Sequence, residues 1–504
     1  MAKKKELLSC RGVLWYLVFC GFAINYMLKI NLNLTIVAMV VPRRNAVTIT
    51  GTECAKDISG MRYSNSSLPV PSSLPQNKDD DTYEDRFAWN EHQQGLALGA
   101  YYWLHWLTQL PGGLLARRYG TKLVYGLGNF ITAILGFLIP FMTYYHLYAL
   151  ICLRILQGLV SGVVWPSMHD MTAKWIPPNE RSRFVSSYLG SSVGAAITYP
   201  LCAIVTSAFN WGAAFHVTSL LGVIWYCFWF FLVHDTPQQH PRISEEEKKY
   251  ILENLADCVH EEETSIPWKA ILTSGPVWIT IIAQWGVTWC LFTLITQAPT
   301  YFNFIHGWNI NTTGIISGAP HILRMVFSYY YAIMSDWLIC NNKMSLTNVR
   351  KLATFVCTGL QGFFTILLAY SGCHPTLAIV FMTAGMAVSG AISASTLASI
   401  VDMGPNYASV LLGFSGMIVI VSGFLSPVVV GVLTINNQTV AQWRLVFIIS
   451  AANSFLGTAV YLLFGTSKEQ PWNKYGKSYK AKEQEMEKLT TTPVVICEEK
   501  KERT

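Results

Sequence analysis

The sequence predicts an all-α membrane protein: twelve transmembrane helices in two six-helix halves, with both termini cytosolic. Three observations carry that prediction. They are the scarcity of charge, the length of the uncharged runs, and the unequal sharing of Lys and Arg between alternate loops. Of 504 residues only 13% are charged and 52% are hydrophobic, whereas a soluble chain carries roughly 25% charged residues. The stretches 92–115, 123–153, 184–234, 270–323, 352–401, 403–443 and 445–467 contain no Asp, Glu, Lys or Arg. A bilayer core of ~30 Å needs ~20 apolar residues in a helix, and backbone polar groups in lipid must pair within their own segment, so the spans are helical.

Taken in order, the chain opens with 1–11, a basic N-terminus. No small-residue cleavage site follows it, so the first span, 12–41, is read as uncleaved. A long polar loop, 42–90, is rich in Ser, Pro and Asp and is expected to be disordered or glycosylated. The next spans lie near 92–115, 122–142, 147–171, 184–206 and 212–233, completing an N-terminal half of 12–233. The central loop, 234–274, carries a capped, weakly amphipathic stretch beginning at Ser244, read as a short helix. A C-terminal half of 275–465 holds spans near 275–300, 313–338, 352–370, 376–400, 408–433 and 444–465. The tail, 466–504, is charged and expected to be disordered.

With the N-terminus in the cytosol, 26 of the 36 basic residues fall on the cytosolic side and six in the one long outer loop. That is the positive-inside asymmetry. The formal net charge of +7 is therefore a topology signal, not a nucleic-acid footprint. Sequons at Asn65, Asn311 and Asn437 all fall in loops placed outside and are candidate glycosylation sites. Twelve cysteines are too dilute for a disulfide scaffold. Cys54 and Cys373 are the only two placed in outer loops, where a pair and two free thiols both stay open. There is no phosphate loop, zinc-type cluster or nucleophile elbow. The chain is thus read as no enzyme, with no metal or other cofactor.

Six plus six spans around a central loop suggest a secondary transporter of two repeats. Gly113, Arg118, Gly120 and Lys122 form a short basic turn after the second span. Asp336 stands at the equivalent place after the eighth. These are read as gating loops. An ionisable residue inside a span is costly and marks function by default. Lys29 lies ~25 Å along the first span at 1.5 Å per residue, and Arg324 lies mid-way in the eighth. Together they are read as clamping a small anion between the halves. Arg154, in the fourth span, is read as structural.

Several runs resemble one family. Gly113 to Lys122 is similar to the signature loop of the major facilitator superfamily, with Arg117 where that motif usually has an acid. Arg154-Ile-Leu-Gln-Gly, Trp165-Pro-Ser-Met-His169, Lys174-Trp-Ile-Pro-Pro-Asn-Glu-Arg-Ser182 and Asp402-Met-Gly-Pro-Asn-Tyr resemble the anion:cation symporters. That family holds sialin, the vesicular glutamate transporters and the type I sodium/phosphate cotransporters. The resemblance covers about residues 12–465. It implies the major facilitator fold and transport of phosphate or an organic anion, driven by Na⁺, protons or membrane potential. It also implies an anion-binding Arg where Lys29 stands, a Glu in the fourth span where Ser161 stands, and a cavity aromatic at Trp289. Lys keeps the charge but loses the bidentate fork. His105 and His169 are the remaining titratable candidates for coupling or pH sensing. His105 occupies a position where relatives tend to carry an aromatic, and His169 matches a family position.

The expected function is symport of inorganic phosphate or an organic anion with a cation, Na⁺ by preference and H⁺ otherwise. A proton- or potential-driven carboxylate transporter is the alternative, and a non-transporting membrane sensor comes from another class. The partners are a small anionic substrate and membrane lipid, not nucleic acid. The plasma membrane is the favoured location, a vesicular or lysosomal membrane the alternative.

Overall fold

The computed structural model describes residues 9–41, 54, 86–177, 180, 184, 186–256, 266–435 and 437–474. Among them the regular structure is helical, apart from an isolated bridge between Val40 and Phe87. Nine helices are long and apolar enough to cross a membrane, or ten if the bent pair Thr121–Phe137 and Ile139–Tyr145 is one span. The other two predicted spans are also helical. One is interrupted: Glu91–Gly99, a 3₁₀ turn Ala100–Tyr102, then His105–Tyr119. The other, Ile310–Cys340, is made more polar by His321, Arg324 and Asp336.

Successive helices reverse direction, so one face of the bundle gathers the start of the first span and the basic turns. On this basic face the predicted central helix is present as Glu245–Ala256. Ile251 is fully buried against the N-terminal half. Glu247 accepts the backbone N–H groups of Cys10 and Arg11, each at 3.1 Å. A carboxylate there satisfies orphan donors and complements the helix dipole. Arg11 also pairs with Glu180 and Glu247, tying the first span to the turn at Glu180 and to the central helix. Gly120, at φ +90°, makes the turn after the second span, and a side chain there would meet the Asp235 carboxylate. Only glycine accepts both conditions. Asp235 then accepts the Lys122 N–H at 2.7 Å.

Two expectations change. The tail was expected to be disordered from residue 466. Instead residues up to 474 pack on the C-terminal half: Trp472 is 5% exposed against Gly404 and Tyr407, because its indole covers an apolar patch left by the last cytosol-assigned turn. Part of the loop 42–90 is also built in. Phe87 exchanges backbone hydrogen bonds with Met39 and Val41, and Cys54 forms a disulfide with Cys373. That bond links a loop of the N-terminal half to a turn of the C-terminal half, on the face opposite the basic one.

The halves close on each other on this far face. Small residues permit it, as in membrane helix packing generally. Gly314 and Gly318 lie on the backbone of Tyr199 and Ala196, and Gly431 lies on Glu91 and His92. Pro299 cannot donate to the Ile295 carbonyl four residues earlier. The freed oxygen accepts from Tyr199 Oη at 2.6 Å and Asn33 Nδ2 at 3.3 Å, both from the other half.

Candidate functional site

Lys29 is 6% exposed, and no carboxylate pairs with it among the described residues. Its ammonium faces aromatic rings instead: Tyr102 at 4.7 Å, Tyr26 at 5.1 Å, Phe292 at 5.5 Å and Tyr101 at 5.9 Å. Tyr26 sits three residues back on the same helix. The 3₁₀ turn after Gly99 brings Tyr101 and Tyr102 together, and Phe292 comes from the other half. Gly158 lets this turn approach, since the Tyr101 carbonyl occupies the place of a Cβ. Cation–π contacts contribute roughly 0.5–2 kcal/mol each. Removing an ion from water costs several kcal/mol. The cage therefore offsets the burial only in part.

Arg154 holds this lysine in place. Its guanidinium is 1% exposed and donates to the carbonyls of Lys29 at 2.7 Å and Leu28 at 3.2 Å, and to Gln157 Oε1 at 3.1 Å. It also lies 5.0 Å from the Tyr101 ring. Both Nη groups are committed to protein oxygens, while Nε has no partner among the described residues.

His105 joins the same cluster. It is 3% exposed, with rings of Tyr101 and Tyr102 at 5.7 and 6.4 Å. Its Nδ1 lies 3.0 Å from the Gly158 carbonyl, which makes that nitrogen a donor. One turn toward the basic face, Asn25 Nδ2 donates to Asn129 Oδ1 and Ser161 Oγ, each at 2.9 Å. Ser161 thus belongs to a polar layer beneath the lysine.

Arg324 is half-buried, with Nε lacking a partner among the described residues. His321, one turn earlier, stacks on Tyr199 at 5.8 Å with neither ring nitrogen hydrogen-bonded. Trp289 is buried one turn before Phe292 and faces Trp285 at 6.0 Å, apart from the lysine cage. His169 is also apart, its ring 5.6 Å from Tyr188.

Of the gating residues, Lys122 is held by Asp235 through its backbone N–H, and Gly120 lies against the same carboxylate. Gly113 lies inside a helix near Pro166, and Arg118 is exposed beside Tyr119. Asp336 is exposed, and in that half Arg350 pairs with Asp402 at 2.8 Å. Asn311 and Asn437 are exposed on the far face, while Asn65 lies outside the described residues. Sequence reasoning missed the cage aromatics. Only Tyr26, at helical spacing from Lys29, carried a local signal.

Residues 14–349 match the Major Facilitator Superfamily. The chain belongs to that superfamily. Within it, the transporter groups with the anion:cation symporters. It is 32% identical to sialin of Ovis aries over 469 residues, covering 92% of this chain and 91% of the relative. It is 31% identical to vesicular glutamate transporter 1 of Xenopus laevis over 457 residues, covering 90% and 74%. Its fold is similar to a crystal structure of a bacterial homologue of the human lysosomal transporter Spinster, inward-facing and unoccupied. That match has a TM-score of 0.63 at 13% identity and covers 90% of this chain and 96% of the other. The protein is an integral, multi-pass secondary transporter and not an enzyme.

Proposed function

We propose that the transporter carries a small anion, inorganic phosphate or a related organic anion, in symport with Na⁺. The observation that carries this reading is Lys29, a buried cation with four aromatic rings around it and no carboxylate paired with it among the described residues. The anion would bind there, between the halves, with Arg324 as the second cation. Ser161 supports Na⁺ over protons, because it is hydrogen-bonded into a neutral amide layer and no carboxylate stands at that position. His105 is the remaining candidate for pH sensing. The disulfide on the far face supports an oxidising compartment there, with the basic face and both termini in the cytosol and the plasma membrane as the favoured location. A second reading, a carboxylate carrier in a vesicular or lysosomal membrane, is favoured by the identity to a vesicular glutamate transporter.

The test is uptake into proteoliposomes of phosphate, glutamate, sialic acid and urate, each under an imposed Na⁺ gradient, pH gradient or potential. Phosphate or urate uptake stimulated by the Na⁺ gradient is expected. Glutamate uptake driven by potential or pH alone would replace the first reading with the second.

A further inference from the structure

The span Ile310–Cys340 carries a ladder of polar side chains that the lysine cage does not use. Thr313, Ser317, His321 and Arg324 recur at helical spacing, so they share one face of the helix. The first three are 0%, 3% and 1% exposed. Thr313 Oγ1, Ser317 Oγ, both His321 ring nitrogens and Arg324 Nε have no hydrogen-bond partner among the described residues. A hydroxyl inside a helix can donate to the carbonyl four residues back. Thr132, Thr296 and Thr365 do so, at 2.6, 2.8 and 2.8 Å, whereas Thr313 and Ser317 do not. Buried polar groups without partners are costly and ask for an explanation.

The ladder lies where the halves meet. Gly314 and Gly318, on the neighbouring face, lie on the backbone of Tyr199 and Ala196. The His321 ring stacks on Tyr199 with an interplanar angle of 17°. Stacking covers the flat face of the imidazole and leaves both nitrogens at its edge. Tyr199 spends its own proton on the Ile295 carbonyl, so that proton does not serve His321. Arg324 follows one turn later, ~4.5 Å along the axis at 1.5 Å per residue. A guanidinium offers donors alone, while a neutral imidazole offers one N–H donor and one lone-pair acceptor. A fully deprotonated anion needs only donors, and an acceptor nitrogen repels its oxygens. An oxyanion that carries an O–H satisfies both kinds of group.

We propose that His321 is a ligand of the transported anion and selects an oxyanion that carries an O–H, such as hydrogen phosphate. One ring nitrogen donates to an oxygen of the anion, the other accepts from its O–H, and Arg324 supplies the positive charge. The hydroxyls of Ser317 and Thr313 take either role and line the approach from the far face. Sulfate has the same tetrahedral shape but no O–H, so it leaves the acceptor nitrogen buried and unpaired. The inference deepens the anion reading at Lys29 and Arg324 and rests on it.

The experiment is counterflow of labelled phosphate by the full-length protein in proteoliposomes at neutral pH, with unlabelled arsenate or sulfate as competitor. Both are tetrahedral oxyanions, but at that pH only arsenate carries an O–H. A site built to hydrogen-bond a hydroxyl rejects the analogue lacking it, so arsenate should compete at least about tenfold better than sulfate in the wild type. His321→Leu should bring that ratio close to unity. His321→Asn keeps a donor and an acceptor and should hold it. The ratio does not depend on how much folded protein reaches the vesicles, so a merely structural role would not move it. Should His321→Leu fail to fold, His321→Lys, a donor without an acceptor, takes its place with the same expected loss. Equal competition by arsenate and sulfate in the wild type would overturn the proposal without any variant, as would a wild-type ratio kept in His321→Leu. In both cases the phosphate counterflow itself leaves the anion reading standing. No phosphate counterflow in the wild type removes the phosphate reading and this inference together.

Discussion

Lys29 and Arg324 are each a lone cation in an apolar span, one per half, yet their surroundings differ. Lys29 is caged by four rings, and its backbone is gripped by Arg154. Arg324 is half-buried, with its Nε unpartnered, next to a histidine whose ring nitrogens are also unpartnered. The first charge is fixed before any substrate arrives, and a preorganised group loses little freedom on binding. The second keeps its freedom, and under the proposed reading it would close on an anion held at Lys29. Under the proposed reading, two residues that look alike in the sequence take unlike parts: anchor and clamp.

That contrast can be broken at several points. After the loss expected at Lys29 itself, the largest effect belongs to Arg154. Arg154→Gln removes charge-assisted bonds to two carbonyls, each contributing roughly 1.5–3 kcal/mol, and loosens the anchor. Folded stability should fall by about 3 kcal/mol, seen as a lower melting temperature and poor yield from detergent. Unchanged melting would mean that Arg154 does not hold the lysine. A smaller effect is expected at Arg324. Arg324→Gln should raise KM for the transported anion about tenfold, close to 1.4 kcal/mol, with melting nearly unchanged. If it instead matched Lys29→Gln in abolishing uptake, the division into anchor and clamp would fail.

The anchor was legible in the sequence, because a lysine in an otherwise uncharged thirty-residue run has no bland neighbour to explain it. The fold was legible for the same reason: charge is confined to turns. The cage was not. Tyr101 and Tyr102 lie about seventy residues from Lys29 and Phe292 lies in the other half, so only the folded chain brings the rings together. Asp336, read as a gate from its place after the eighth span, is exposed, while Asp402 is paired with Arg350. Cys54 and Cys373 are separated by 319 residues, and no spacing argument could have chosen between a bond and two thiols.

The account's central claim is that the charge at position 29 binds the transported anion. Counterflow of labelled phosphate in proteoliposomes, with glutamate, sialic acid and urate as parallel anions, tests it most directly in three proteins: wild type, Lys29→Gln and Lys29→Arg. Removing one partner of a buried charge contact costs about 2–5 kcal/mol, so Lys29→Gln should lose counterflow by at least about thirtyfold, while Lys29→Arg retains it. Equal counterflow in all three proteins would contradict the claim.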